Sequence, residues 1–153
     1  MGNIFGPHVT FTSETRHLKT MYEQDRSLQL LGITITKVDP GLTEGEMTVT
    51  EEMCNGFDTA QGGILFTFAD ALFAGACNSQ PLAPTVAAQV SIHYLSPGKL
   101  GTTLRGVARE VHSWGRNGIT DVTILDGDRV VAEFRGTSRT TSRPHPATNP
   151  QAP

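Results

Sequence analysis

The sequence predicts an α+β fold in which a six-stranded antiparallel sheet curves around one long central helix. Three observations predict it. The run from Gly62 to Asn78 is apolar on every side, the mark of a buried helix. Six other stretches alternate apolar and polar residues in the manner of half-buried strands. Tight-turn dipeptides separate those stretches at Pro40-Gly41, Pro97-Gly98, Asn117-Gly118 and Asp126-Gly127.

The elements follow in order. Residues 1–13 are expected to be loose. A helix is expected from Glu14 to Leu31, capped by Ser13 and ended by Gly32, with Leu18, Met21, Tyr22, Leu28 and Leu31 on its apolar face. Ile33 to Val38 and Gly45 to Thr50 read as a strand pair about Pro40-Gly41. A loop over 51–61 leads into the apolar helix, which Gln80-Pro81-Leu82-Ala83-Pro84 stops. Four strands follow over Val86–Tyr94, Thr102–His112, Ile119–Leu125 and Val130–Thr140. The tail 141–153 holds four prolines and no large apolar residue and is expected to be disordered. The compact domain is therefore 14–140. A sheet hides one face of the central helix, and a partner can hide the rest.

With 153 residues the chain makes one domain with a sizeable core, and its net charge of −3 without a basic patch argues against nucleic acid. The N-terminus lacks the charged and apolar regions of a secretory signal. The 62–78 run is at the short limit for crossing a bilayer and carries Asp70 near its centre, which argues against a membrane span. Cys54 and Cys77 are too few and too far apart for a disulfide framework or a zinc site. Reduced thiols and a cytoplasmic location are the expectation. His8, His17, His93, His112 and His145 show no ligand spacing, and no Gly-x-Ser-x-Gly elbow or phosphate loop is present.

The chemistry is concentrated in the central helix. Asp70 is a carboxylate in apolar surroundings, costly unless paired, hydrogen-bonded or used. Gly62-Gly63 opens the helix with bare N–H groups at the positive end of its dipole, where an anion or a carbonyl oxygen can be held. Together they suit reaction at an acyl carbonyl; a structural carboxylate and a plain helix entry are the alternatives. Asp70 lies eight residues beyond Gly62, about 12 Å along the axis. One helix cannot bring both to one carbonyl, whereas two antiparallel helices can. Shared sites at a two-fold dimer interface follow. Asn55, in the entry loop, can hold water or orient Asp70, or simply form an Asn-Gly turn.

The stretch from Asn55 to Asp70 resembles the active-site segment of hotdog-fold acyl-CoA thioesterases, most closely those of the phenylacetate pathway. The flanks agree at Met21-Tyr22-Glu23, Gly32-Ile33, Ala76-Cys77-Asn78-Ser79-Gln80, Leu95-Ser96-Pro97-Gly98 and Phe134-Arg135-Gly136. The resemblance implies a sheet-wrapped helix, paired dimers forming a tetramer, and metal-free hydrolysis of coenzyme A thioesters, with no cofactor besides the coenzyme A of the substrate. It assigns roles to Asn55, Gly62 and Asp70: Asp70 as general base or nucleophile, the Gly62 N–H polarising the carbonyl, Asn55 positioning water. Gln61 stands where the family commonly has histidine; it can donate to the carbonyl but cannot carry a proton at neutral pH. Aryl and arylacetyl thioesters are the implied substrates. Coenzyme A phosphates call for basic residues, with Arg116, Lys99, Arg135 and Arg139 as candidates or ordinary surface charge. Gly63, Phe66 and Phe73, with Phe68 and Leu72, are candidates to meet the acyl group, the aromatic and leucine side chains being otherwise core. The rival reading is a non-catalytic acyl-CoA sensor marked by Gln61.

Overall fold

The computed structural model describes residues 3–78 and 83–142. The elements are α1 (Arg16–Glu23), α2 (Arg26–Leu31), β1 (Thr34–Asp39), β2 (Leu42–Thr48), a 3-10 turn (Glu51–Met53), α3 (Gly62–Cys77), β3 (Thr85–Tyr94), β4 (Thr103–Trp114), β5 (Asn117–Asp126) and β6 (Arg129–Thr140). The strands form one antiparallel sheet in the order β1-β2-β4-β5-β6-β3. It packs around α3, the helix-in-sheet arrangement that the sequence predicts.

Core formation follows from residue type. Phe68 and Leu72 of α3 meet Leu104, Val122, Ile124 and Phe134 of the sheet, all essentially without solvent contact. Burying each such side chain contributes about 1.5–3 kcal/mol. Close helix–sheet approach is possible because small residues stand at the contacts. A Cβ built on Gly75 would collide with Tyr22 Oη and Thr43 Oγ1. The Tyr22 hydroxyl donates to the Ala71 carbonyl (3.0 Å), and burial raises its pKa, so it stays a neutral donor. Gly75→Ala is accordingly expected to destabilise the fold by about 1–3 kcal/mol, measurable by denaturant unfolding.

Four expectations are corrected. The first helix is two. The Asp25 carboxylate accepts from the Ser27 N–H (2.9 Å) and caps α2, so the chain breaks at Gln24–Asp25. The first cap is Thr15 rather than Ser13, and Gly32 ends α2 in the left-handed region (φ +62°) as expected.

The N-terminal segment is not loose from residue 3 onward. Ile4 is buried, Ile35 N–H donates to the Ile4 carbonyl (2.7 Å), and Phe5 packs edge-on against Phe11 and Tyr22. His17 is buried too: its Nε2 lies 2.6 Å from the Asn78 carbonyl at the end of α3.

The last two hairpin turns sit one or two residues from their expected places. Trp114 pairs with Asn117 and Asp126 with Arg129, so the turns are Gly115-Arg116 and Gly127-Asp128. Each puts a positive-φ glycine first, the pattern of a type II′ turn. The expected helix stop over 80–84 and the tail over 141–153 lie largely outside the described residues; α3 ends at Cys77. Asn78 closes that end. Its buried amide donates to the Ala74 and Thr85 carbonyls and accepts from the Thr85 N–H, at 2.8–2.9 Å, tying the helix to the start of β3.

β3 is an edge strand and its apolar residues are incompletely covered, with Val86 and Tyr94 about half exposed. Among the described residues no helix is long and apolar enough to cross a membrane.

Candidate active site

The entry loop is built around one side chain. Asn55 Oδ1 accepts from the Phe57 N–H (2.9 Å), the Thr59 hydroxyl (3.1 Å) and the Thr59 N–H (3.4 Å). These donors fix the amide orientation. The oxygen is committed to the turn, while the Nδ2 donors are bound to no described group. The turn reading of Asn55 therefore holds for the oxygen, and the nitrogen remains available to another partner. Asp58 adopts a positive φ (+57°), which aspartate tolerates. The loop is fastened to the 96–100 segment: Ala60 N–H donates to the Gly98 carbonyl (2.7 Å), and Thr59 pairs with Lys99.

Gln61 then starts α3. Its N–H donates to the Met53 carbonyl (2.8 Å) and its own carbonyl accepts from Ile64 (2.9 Å). Its exposed side chain makes no capping bond. The Gly62 and Gly63 N–H groups donate to no described group, so two unsatisfied donors stand at the head of a 16-residue helix.

The Tyr94 hydroxyl donates to the Gly62 carbonyl at 2.9 Å. That carbonyl shares its peptide group with the Gly63 N–H, and a hydrogen bond to one end of a peptide strengthens donation at the other. A cleft of about 410 Å³ opens here, lined by Asn55, Gly62, Leu65, Tyr94, Ser96 and Gly98. Lys99, next after Gly98 of that lining, is exposed.

Asp70 lies elsewhere on the same unbroken helix, about two turns along. Residues 63, 66, 67, 70 and 74 form a partly exposed stripe on a helix whose other positions, beyond its first turn, are buried. The Asp70 carboxylate lies on that stripe and receives no hydrogen bond from a described group. Burial and then the neighbouring charge of Asp25 raise its pKa above the ordinary carboxylate value. A half-desolvated, unpaired carboxylate is poised to take a proton.

The protomer brings Asn55, Gln61, Gly62, Gly63 and Lys99 to one end of α3. It leaves Asp70 about 12 Å away along the axis. Arg116 sits at the opposite end, where its carbonyl accepts from Thr140 (2.7 Å), and Thr140 pairs with Thr85 beside Asn78. Arg135 is bound bidentately by Asp121 (2.6 and 2.7 Å), and Arg139 donates to Asn117 (3.1 Å). Phe73 is 2% exposed and wedged against Phe134 and Gly136, so in the protomer it belongs to the core rather than to a cavity. Phe66 rests its ring on Phe134 (5.5 Å) with one edge on the open stripe.

Sequence reasoning missed Tyr94 and Asp25. Neither lies in a motif; only the fold brings Tyr94 to Gly62 and Asp25 to Asp70. Burial pushes the Cys77 thiol up to about 12, and Cys54 is also raised, so neither is an activated nucleophile. Among the described residues no group of three or more histidine, cysteine, aspartate or glutamate side chains has metal-site geometry.

Known proteins are similar to this chain in sequence and in fold. The thioesterase superfamily model matches residues 57–133. The chain is 44% identical to acyl-coenzyme A thioesterase PaaI of Escherichia coli (strain K12) over 119 residues, 77% of this chain and 84% of that one. The solved structure of the E. coli PaaI protein, from the phenylacetic acid degradation operon, superposes with a TM-score of 0.80 at 39% identity, over 85% of this chain and 97% of that one. A hypothetical thioesterase protein of Streptococcus pneumoniae TIGR4, crystallised with coenzyme A, superposes with a TM-score of 0.68 at 29% identity, over 73% of this chain and 90% of that one.

Proposed function

Because this chain belongs to the thioesterase superfamily, we propose that it hydrolyses acyl-CoA thioesters, with aryl- and arylacetyl-CoA of the phenylacetyl type as its substrates and the free acid and CoA as products. The observation that carries the reading is Asp70, an unpaired, half-buried carboxylate on the one open stripe of a buried helix. Its likeness to E. coli PaaI, whose structure is described as coming from the phenylacetic acid degradation operon, supports the arylacetyl preference.

The thioester carbonyl accepts from the Gly62 N–H, joined by Gly63 and by the Gln61 side-chain amide. These preorganised donors stabilise the oxyanion as it develops; removal of one such donor typically costs about 3–4 kcal/mol. Asp70 either takes a proton from water as that water attacks the carbonyl carbon, or attacks it directly to give a mixed anhydride that water then opens. Asn55 Nδ2 holds the water. Collapse of the tetrahedral species breaks the C–S bond and releases CoA as thiolate. No metal or bound cofactor enters this scheme.

The site is completed by a second copy. Gly62 of one protomer and Asp70 of its partner meet when two α3 helices lie antiparallel along their open stripes, giving two sites per dimer. The free edge of β3 and its exposed Val86 and Tyr94 support such a contact. The same arrangement lets a partner bring Arg116 toward a site it does not reach within its own chain. Pairing of dimers into a tetramer, and a cytoplasmic location with both cysteines free, complete the proposal.

Thiol release from acetyl-, benzoyl-, phenylacetyl- and decanoyl-CoA tests the activity. Turnover on the aryl members is expected, and binding without turnover on any would identify a sensor instead. Asn55→Asp separates the two halves of that amide. The carboxylate still accepts from Phe57 and Thr59, so the loop holds, while the donor to water is lost. The expected result is a kcat lower by about 10²-fold, with a thermal midpoint near wild type; a retained rate would remove Asn55 from the chemistry.

A further inference from the structure

A second cleft lies on the other side of Gln61. It has a volume of about 610 Å³ and is lined by Leu30, Leu31, Met53 and Ile64 together with the polar Gln29, Thr50 and Glu52. Its walls are mainly apolar, in contrast to the Asn55, Thr59 and Ser96 lining of the first cleft. Leu30 is 82% exposed, so this wall of the cleft is open to solvent in the protomer. The two clefts share one ridge. Gln61 is bonded through its N–H to Met53 in the second, Gly62 lines the first, and Ile64, next after Gly63, lines the second.

We propose that this second cleft is the acyl subsite of the enzyme, and that it takes neutral apolar acyl groups up to the size of a fused two-ring aryl or a medium-length alkyl chain. The inference rests on the proposed thioesterase activity. A carbonyl held on the Gly62 and Gly63 N–H groups sits astride the ridge. Its acyl side then falls toward Ile64 and Met53, and its sulfur side toward the polar cleft and Lys99. Size follows from volume: a cavity of roughly 150 Å³ already encloses a benzene ring, and this cleft is several times larger. Charge selects against acids. The Glu52 carboxylate lines the cleft and is exposed, so it is ionised at neutral pH, the more so because hydrogen bonds from its own N–H and the Thr50 side chain lower its pKa, and it repels an acyl group bearing a free carboxylate.

The test is kcat/KM on acetyl-, phenylacetyl-, decanoyl- and 2-naphthoyl-CoA for wild type, Ile64→Trp and Leu30→Glu. Ile64→Trp fills the cleft; Leu30→Glu charges an exposed wall and spares the fold if the first variant does not fold. The ratio of decanoyl or naphthoyl to acetyl turnover is expected to fall at least about tenfold in each folded variant, the scale of apolar pocket discrimination. An unchanged ratio in variants that still hydrolyse the panel would overturn the subsite while leaving the activity standing. Loss of all substrates in parallel, with dimer dissociation on size-exclusion chromatography, would assign the cleft to a second copy and overturn it likewise. A wild type that hydrolyses none of the panel would overturn the thioesterase reading itself.

Discussion

Asp70→Asn is expected to lower kcat/KM for phenylacetyl-CoA at least about 100-fold while making the protein more stable at neutral pH. The two effects have one cause. Burial, and secondarily Asp25, raise the folded-state pKa of Asp70 above its unfolded value. Between those two values the folded state binds more protons than the unfolded state, so stability falls as pH rises through the window. Above it, the ionised carboxylate is a standing cost. The amide removes that cost, so the thermal midpoint of the variant should exceed that of wild type at pH 7, and the difference should vanish in acid. A variant that loses activity and stability together would instead mark Asp70 as a structural group. The wild-type rate should rise along an acid limb displaced above the ordinary carboxylate range. Asp25→Asn keeps the cap on α2, since asparagine caps as well as aspartate, and removes the charge. Its limb is expected to move to lower pH, by only part of the total displacement because burial is the larger cause.

Gly62→Pro is expected to lower kcat by about 10²–10³-fold, the effect of deleting one oxyanion donor, without unfolding α3. Proline is favoured at the first position of a helix, where the N–H has no intrahelical partner. Gln61 already has the extended backbone that a residue before proline requires (φ −56°, ψ 140°). The side chain would crowd the Tyr94 ring, since a Cβ on Gly62 stands 3.0 Å from Cζ; Tyr94 is half exposed and can yield, at the expense of its hydrogen bond to the Gly62 carbonyl. Gly62→Ala introduces the same crowding but keeps the N–H, so its rate should stay well above that of the proline variant. Equal losses in the two would mean that crowding, not the donor, is responsible. Mixing the two inactive proteins tests the shared site. In a heterodimer of Asp70→Asn with Gly62→Pro, one site receives both intact groups. Subunit exchange should therefore restore about a quarter of the wild-type activity, as random pairing of two-fold dimers dictates. No recovery after verified exchange would confine each site to one chain.

The central helix was legible because its signal is redundant: of its sixteen residues all but Thr67 and Asp70 are apolar or glycine, and only Asp70 is charged. The strands were legible from alternation, and their ends fell within a few residues. The hairpin turns slipped because Asn-Gly and Asp-Gly are turn signals only while both residues are free for the turn. Here Gly118 is drawn into β5, where it faces Ser138 and Glu110 and leaves the positive-φ position to Gly115. The N-terminal segment was misread because its apolar residues, Ile4 and Phe5 among them, follow no helical or strand period, and their value as anchors depends on a β1 edge that local sequence does not display.

By itself the sequence determined the architecture, the candidate residues proposed to hold a carbonyl and take a proton, and the separation of about 12 Å that keeps Gly62 and Asp70 of one chain apart. Each of these depends on local periodicity or on the fixed rise of a helix, which neighbours in the chain set without help. Only the tertiary structure decided which groups were free to act. It tied Asn55 Oδ1 into a turn and left its nitrogen open, bound Arg135 to Asp121, sank Phe73 into the core, and set Tyr94 against Gly62 and Asp25 near Asp70. Availability depends on contacts between residues distant in sequence, and such contacts exist only once the sheet has closed around the helix.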